Sequence, residues 1–214
     1  MPPSDSKEPL SRPRPQIRLS NLCDIARGRA HSAKAILLRH CPITVQNAFV
    51  ICVPRCSSVV NSVVLQKIIS GGQTGADRAA LDFAIARDIP HGGWCPQGRL
   101  AEDGPIAARY QLSETPDSDS SQRTERNVRD SNGTVIFSVA PTLAGGSRQT
   151  AELAQRHHRT CLHLSRERDG EAAAGKLRDF LARHEIKTLN VAGPRQSREP
   201  EVAGFTTEVL EQGI

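Results

Sequence analysis

The sequence predicts an α/β fold, a parallel sheet with helices on both of its faces. Two observations point there. From residue 66 onward, short apolar strands alternate with segments of helical periodicity, the signature of repeated β-α units. Three of those strands also exit into glycine-bearing turns, as strands of a parallel sheet do at the edge where ligands bind.

The elements follow in order. Gln66 to Ser70 reads as a strand ending at Gly71, and Gly75 to Arg87 as a helix with Ala80, Leu81, Ala84 and Ile85 available for burial. Ile89 to Pro116 lacks periodicity and is rich in Gly and Pro; a long irregular segment inside a compact domain is expected to carry function. Ser120 to Ser131 reads as a helix, Thr134 to Val139 as a strand, Gly146 to Arg159 as a helix and Cys161 to Ser165 as a strand. Glu171 to His184 gives a helix, Lys187 to Ala192 a strand and Pro200 to Gln212 a closing helix. Residues 66–214 thus read as one Rossmann-like domain.

Residues 1–65 do not share this pattern. Five prolines among Ser, Lys, Arg and Glu between Met1 and Pro15 favour a poorly ordered tail, followed by a candidate basic helix, Leu19 to His40, and a candidate strand, Thr44 to Val53. An Arg-rich targeting arm is one alternative, which Asp5 and Glu8 weaken; a translation start near Val63 to Leu65 is another. The extension carries the basicity of the chain. Nine Lys and Arg face three acids in residues 1–66, whereas 67–214 hold 19 basic and 20 acidic residues, so the formal net charge of +5 does not belong to the main domain. With aromatics at only 3% of the chain, no basic face or stacking platform for nucleic acid is expected.

The six cysteines, at 23, 41, 52, 56, 95 and 161, lack the dense spacing of a secreted disulfide scaffold, which points to a reducing cytoplasm. Cys52 and Cys56 with His91 and Cys95 make a poor zinc set because no second close cysteine pair accompanies the first, and no metal is expected. The longest apolar run, Ala48 to Val53, is too short to span a bilayer.

In an open parallel sheet, ligands bind outside the carboxyl ends of the strands, near the reversal in strand order. Three exits carry matching chemistry: Gly71-Gly72-Gln73-Thr74-Gly75, Gly145-Gly146-Ser147 and Gly193-Pro194-Arg195. N–H groups of a glycine-rich turn and of a helix start have no intrahelical partner and cradle an oxyanion. Gly71, Gly72, Gln73, Thr74, Gly75, Arg78, Gly145, Gly146, Ser147, Gly193 and Arg195 are therefore candidate binding residues for a phosphorylated small molecule. The first turn has no Walker A Lys and its glycine spacing is not the dinucleotide fingerprint, which disfavours an ordinary NTPase or NAD enzyme.

Plainer roles compete with these. Thr74 and Asp77 stand at capping-box spacing, and Arg78 has Asp82 one turn on. The helix Ser120 to Ser131 has Val128 as its only clear apolar residue, so polar contacts must hold it. Arg123, Asn127 and Asp130 share one of its faces: Arg123 is a candidate to meet an anion, Asn127 to read an amide or ring edge, and Arg126 to pair with Asp130. Arg123→Ala is expected to weaken binding and leave the fold intact. Trp94 is a candidate to stack on a ring or to fill the core, and Cys95 reads as a buried thiol. Asp77, Glu102 and Asp103 are the candidate catalytic acids or bases, although adjacent carboxylates in a loop are commonly just solvated.

Several of these stretches together resemble a known family. Ile69 to Asp82 (ISGGQTGADRAALD), His91 to Arg99 (HGGWCPQGR), Ala101 to Gly104, Arg123 to Asp130 and Asn190 to Arg195 are similar to the molybdenum carrier family. That family is the circularly permuted YpsA-type branch of the SLOG superfamily, which includes lysine-decarboxylase-like proteins. The resemblance covers about residues 66–214 and not the extension. It implies a Rossmann-like domain that binds a molybdenum-cofactor-like or nucleotide-like ligand through its glycine loops. Ser147 stands where Thr is commoner, which keeps the hydroxyl. Superfamily enzymes that cleave nucleotide N-glycosidic bonds use a Gly-Gly-x-Gly-Thr-x-x-Glu motif; here Thr150 and Glu152 follow Gly146 at offset spacing, so that activity is not carried over.

Two functions stay open at this point. One is a carrier holding molybdopterin or another phosphorylated heterocycle; the other is a phosphoribohydrolase-like enzyme in which Asp77, Glu102 or Asp103 activates water. Small surfaces such as Ala151 to Ala154 would also permit two copies to pack as a homo-oligomer.

Overall fold

The computed structural model describes residues 65–214, and the expectations for the basic helix, strand and tail of the extension lie outside the described residues. In chain order the domain runs β1 (Lys67–Ser70), α1 (Ala76–Ala86), β2 (His91–Gly92), β3 (Trp94–Cys95), β4 (Leu100–Ala101), β5 (Gly104–Pro105), β6 (Ser113–Glu114), α2 (Ser120–Arg129), β7 (Gly133–Ser138), α3 (Gly145–Arg156), β8 (Thr160–Ser165), α4 (Arg166–Asp169), α5 (Ala173–Arg183), β9 (Thr188–Ala192) and α6 (Val202–Gly213). Five strands form one sheet, ordered β2-β1-β9-β7-β8, and every neighbouring pair is parallel.

β9, the last strand in the chain, lies in the middle of the sheet between β1 and β7. In a doubly wound sheet of order 3-2-1-4-5 that place belongs to the first strand. The chain therefore has the connectivity of such a sheet with its opening strand moved to the C-terminus.

Helices cover both faces, and β7 is buried at all six positions as a doubly covered strand must be. On one face α1, α5 and α6 enclose the main core, in which Ala76, Ala80, Phe83 and Ala84 meet Leu177, Val202, Phe205 and Leu210 around Ile68, Val135, Phe137 and Leu189. Phe137 meets Phe205 edge to face, with centroids 5.9 Å apart. Ile85 was expected in this core and is exposed, because it lies one helical step beyond the buried edge at Ala84. On the other face, α2 and α3 bury a much smaller cluster of Val128, Leu153 and Ala154. Among the described residues no helix is long and apolar enough to cross a membrane.

The irregular segment after α1 is tied down rather than loose. β3 pairs with β6, and β4 with β5 as a hairpin whose two-residue turn is Glu102-Asp103. Leu81, Cys95, Ile106 and Tyr110 form its own core, and the Arg99 guanidinium donates to the carbonyls of Ile106, Ala107, Tyr110 and Leu112.

Candidate functional site

A crevice of about 580 Å³ opens at the carboxyl ends of β1, β9 and β7, where the strand order reverses. Its volume falls in the range of small-molecule sites, roughly 300–1,000 Å³. Residues from all three glycine-bearing exits line it, with Arg123 and Asn127 reaching in from α2.

The exit from β1 is largely occupied by its own neighbours. Gln73 N–H donates to Asp77 Oδ2 at 3.4 Å, and Thr74 N–H to Gln73 Oε1 at 3.3 Å. The N-cap of α1 is Gly75, not Thr74, and no side chain caps it. The Thr74 hydroxyl instead donates to Glu102 Oε1 and accepts from Gln196 N–H at 3.2 Å. A Cβ on Gly75 would stand 2.5 Å from Pro194 O, and one on Gly71 would collide with the Arg123 guanidinium. These glycines permit close packing of loop on loop. Of this stretch only Gly71, Gln73 and Asp77 line the crevice.

The exit from β7 is open. α3 starts after Ala144 with no side-chain cap, which leaves the N–H groups of Gly145, Gly146 and Ser147 toward the crevice. A Cβ on Gly145 or Gly146 would meet nothing within 4 Å. Ser147 is 7% exposed, and its hydroxyl has no hydrogen bond among the described residues. The exit from β9 brings Arg195 and Arg198, which make no ion pair among the described residues. An uncapped start to a twelve-residue helix, together with a hydroxyl and two guanidinium groups that have no partner among the described residues, suits an oxyanion.

Charges deeper in the crevice are paired. Arg123 Nη1 donates to Asp77 Oδ2 at 2.8 Å; burial pushes the Asp77 carboxyl above its ordinary range, and Arg123 pulls it only part of the way back. Asn127 accepts from Trp94 N–H at 2.8 Å and donates to Trp94 O at 3.0 Å, so its carboxamide clamps α2 to β3. Trp94 is half-buried, donates from Nε1 to Asp130 at 2.8 Å and carries Arg126 4.5 Å above its ring. The polar anchoring expected of α2 is thus present in the Asn127, Arg123 and Asp130 contacts and in the Asp119 cap.

A family model for the circularly permutated YpsA SLOG family matches residues 68–214. The chain belongs to that family. Among solved structures, a crystal structure of a "Putative molybdenum carrier protein" from Syntrophus aciditrophicus SB is 50% identical, covers 70% of this chain and 95% of its own, and superposes with a TM-score of 0.69. None of the curated proteins matches the chain. The permutation in the family's description is visible in this SLOG domain as the central position of C-terminal β9.

The candidate residues of the SLOG domain separate into two groups. Gly71, Gln73, Asp77, Arg123, Asn127, Gly145, Gly146, Ser147, Gly193 and Arg195 line the crevice, whereas Gly72, Thr74, Gly75, Arg78, Glu102 and Asp103 do not. Arg78 pairs with Asp103 across 25 residues and not with Asp82, which is taken by Arg109 and Tyr110. Arg78 Nη2 also donates to Gly72 O at 3.2 Å. Bonds from Ser197 and Thr74 hold the Glu102 carboxyl low, and Arg78 does the same for Asp103, which makes both weak bases.

Sequence reasoning missed Arg198, legible only as a second cation three residues after Arg195, and the pair Ser138 and His163, which sheet register alone brings together. Ser138 lines the crevice with its Oγ 2.7 Å from His163 Nε2. Arg168 Nη1 lies 3.3 Å from His163 Nδ1 and can only donate, so the neutral ring donates from Nε2 to Ser138. The Ser138 hydroxyl in turn donates to Ala140 O at 2.7 Å. Burial and Arg168 keep the ring neutral. The proton points away from the imidazole, opposite to what an activated nucleophile needs.

Proposed function

We propose that this SLOG domain is a carrier-type binding protein that holds a phosphorylated small molecule, molybdenum-cofactor-like or nucleotide-like, in the crevice. The observation that carries the reading is the open start of α3 beside Ser147, Arg195 and Arg198. Gly145, Gly146 and Ser147 donate backbone N–H groups to the oxyanion, Ser147 adds its hydroxyl, and Arg195 and Arg198 balance its charge. Gly71, Gly193 and the Asp77–Arg123 pair form the floor under the body of the ligand. The similar protein from Syntrophus aciditrophicus bears the name of a molybdenum carrier, which supports this class of cargo. The free thiols of Cys95 and Cys161 suit a reducing compartment, and the cytoplasm is the proposed location.

The hydrolase alternative has less support. Of the three candidate carboxyls only Asp77 lines the crevice, and Arg123 and the Gln73 N–H already engage it; the Glu199 carboxyl, which also lines it, accepts from Val139 N–H. Native mass spectrometry and metal analysis of the full chain as purified test the carrier reading. A pterin or nucleotide mass, or molybdenum in fixed proportion, is expected. Release of ribose phosphate or free base from a nucleotide panel, abolished by Asp77→Asn, would overturn it.

A further inference from the structure

Four carboxamides line the crevice, Gln73, Asn127, Gln149 and Asn190, and of the three buried ones Gln73 leaves its NH2 group free, since Asn190 donates from Nδ2 to Thr134 Oγ1 at 3.2 Å. Asn127 gives both its oxygen and its nitrogen to the backbone of Trp94. Gln73 is 8% exposed, and its Oε1 accepts from Thr74 N–H at 3.3 Å and from Glu102 N–H at 2.8 Å. Two backbone donors on one atom fix which end of the carboxamide is oxygen, so the NH2 group faces the other way. That nitrogen has no hydrogen bond among the described residues. Nor is it sealed from solvent, since the buried unpartnered side-chain atoms among the described residues are Arg78 Nε and Arg123 Nε. Gln73 therefore presents the crevice with a donor and no acceptor.

We infer that Gln73 selects the ligand by its uncharged body, donating to a hydrogen-bond acceptor such as a lactam carbonyl while the start of α3 and Arg195 hold the oxyanion. This rests on the oxyanion reading of the crevice. Glu102 is the positioning residue for both halves. Its N–H holds Gln73 Oε1, and its carboxylate accepts from Ser197 N–H at 3.2 Å and Ser197 Oγ at 2.5 Å, in the loop that carries Arg195 and Arg198. The β4–β5 turn thus sets the donor at one end and the cations at the other. A lactam carbonyl is common to 6-oxopurines and pterins; a 6-aminopurine offers an N–H2 at the same place, which would meet the Gln73 N–H2 donor to donor.

Calorimetric titration of the full chain with inorganic phosphate, inosine 5′-monophosphate, adenosine 5′-monophosphate and neopterin phosphate tests this. Both lactam probes are expected to bind at least about tenfold more tightly than adenosine monophosphate, the cost of an unpaired buried donor. The order of those two tells purine from pterin, and either order supports Gln73. Gln73→Glu keeps an oxygen for the two backbone donors and turns the free NH2 into an oxygen. It should erase or reverse the preference between the lactam probes and adenosine monophosphate. Thermal melts report whether the variant folds; Gln73→Met, which removes the donor without adding charge, should lose the preference if Gln73→Glu does not fold. Phosphate binding with equal affinity for inosine and adenosine monophosphates would overturn the inference and spare the oxyanion reading. Failure of all four probes would overturn both.

Discussion

Two glycine turns meet at the crevice, one leaving β1 and one leaving β7, and their glycines serve opposite needs. At Gly71 and Gly75 a Cβ has no room, because Arg123 crosses one position and Pro194 O closes on the other. At Gly145 and Gly146 a Cβ would meet nothing. Polar groups divide in the same way: Gln73, Thr74 and Asp77 bond to one another, to Glu102 and to Arg123, whereas the Ser147 hydroxyl makes no hydrogen bond among the described residues. Glycine in the first turn lets protein approach protein, and in the second it leaves backbone open to a ligand. A glycine-rich turn is evidence for an anion site only when its N–H groups lack protein partners.

The sharpest way to break this comparison is at Arg123. As part of the packed turn, its loss strands Asp77 as an uncompensated buried carboxyl, so Arg123→Ala should destabilise the domain by about 3–5 kcal/mol in denaturant unfolding. The earlier expectation that this variant would weaken binding alone gives way to the 2.8 Å ion pair. Because burial already pushes Asp77 toward its neutral form, Asp77→Asn in the same chain should recover part of the loss. An Arg123→Ala protein as stable as the parent would show that the first turn is not held this way. Gly75→Ala comes next. With φ at 84° and Pro194 O at 2.5 Å, it should cost about 1–3 kcal/mol.

The fold was legible because its signals are local. Strand length, helical periodicity and glycine exits placed β1, α1, α2, β7, α3, β8, α5, β9 and α6, but not the two-residue strands β2 to β6 or the short α4, which are too brief to show a period. The central place of β9 was not, since sheet order depends on which distant strands meet. The strand exit at Gly145 to Ser147 and the cation at Arg195 could be named, as they rest on residue type at a strand end, but nothing in their spacing told this exit from the one at Gly71. The partner of Arg78 could not: a contact one turn away at Asp82 was the local choice, and the β4–β5 hairpin supplied Asp103 instead. The same fold-back took Thr74 from the cap of α1 and left Gln73, not Asn127, with a free amide. His163 reached Ser138 through the parallel register of β7 and β8, which no sequence spacing encodes.

A smaller effect separates the turns by pH. His163 supports the open turn through Ser138 and Ala140 O, and its ring is held neutral in the fold. A histidine whose folded pKa is lowered contributes stability that is present above its unfolded value, about 6.5, and is lost as pH falls below it. Thermal stability should therefore decline as pH falls below about 6.5, and His163→Gln should flatten that decline. Beside the packed turn, Glu102 and Asp103 respond lower, because they are held below their ordinary values of 4.5 and 3.8, whereas buried Asp77 is raised above its own. The contribution of Glu102 and Asp103 is present above those ordinary values and is lost only as pH falls through the lower folded ones.

The smallest effect is the most diagnostic. Gly146 lies in the first turn of α3, has open space where a Cβ would go and needs no left-handed φ. Gly146→Ala should shift stability by less than about 1 kcal/mol, toward a more stable protein, because alanine loses less conformational freedom than glycine on entering a helix. Differential scanning fluorimetry of Gly75→Ala and Gly146→Ala side by side reads the comparison directly. If the two glycines cost the same, the β7 exit is packed like the β1 exit, and its N–H groups are not held open for an anion. If Gly146→Ala is neutral or stabilising while Gly75→Ala is costly, glycine at 146 is not there for the fold, and access to the backbone is the remaining physical reason for it.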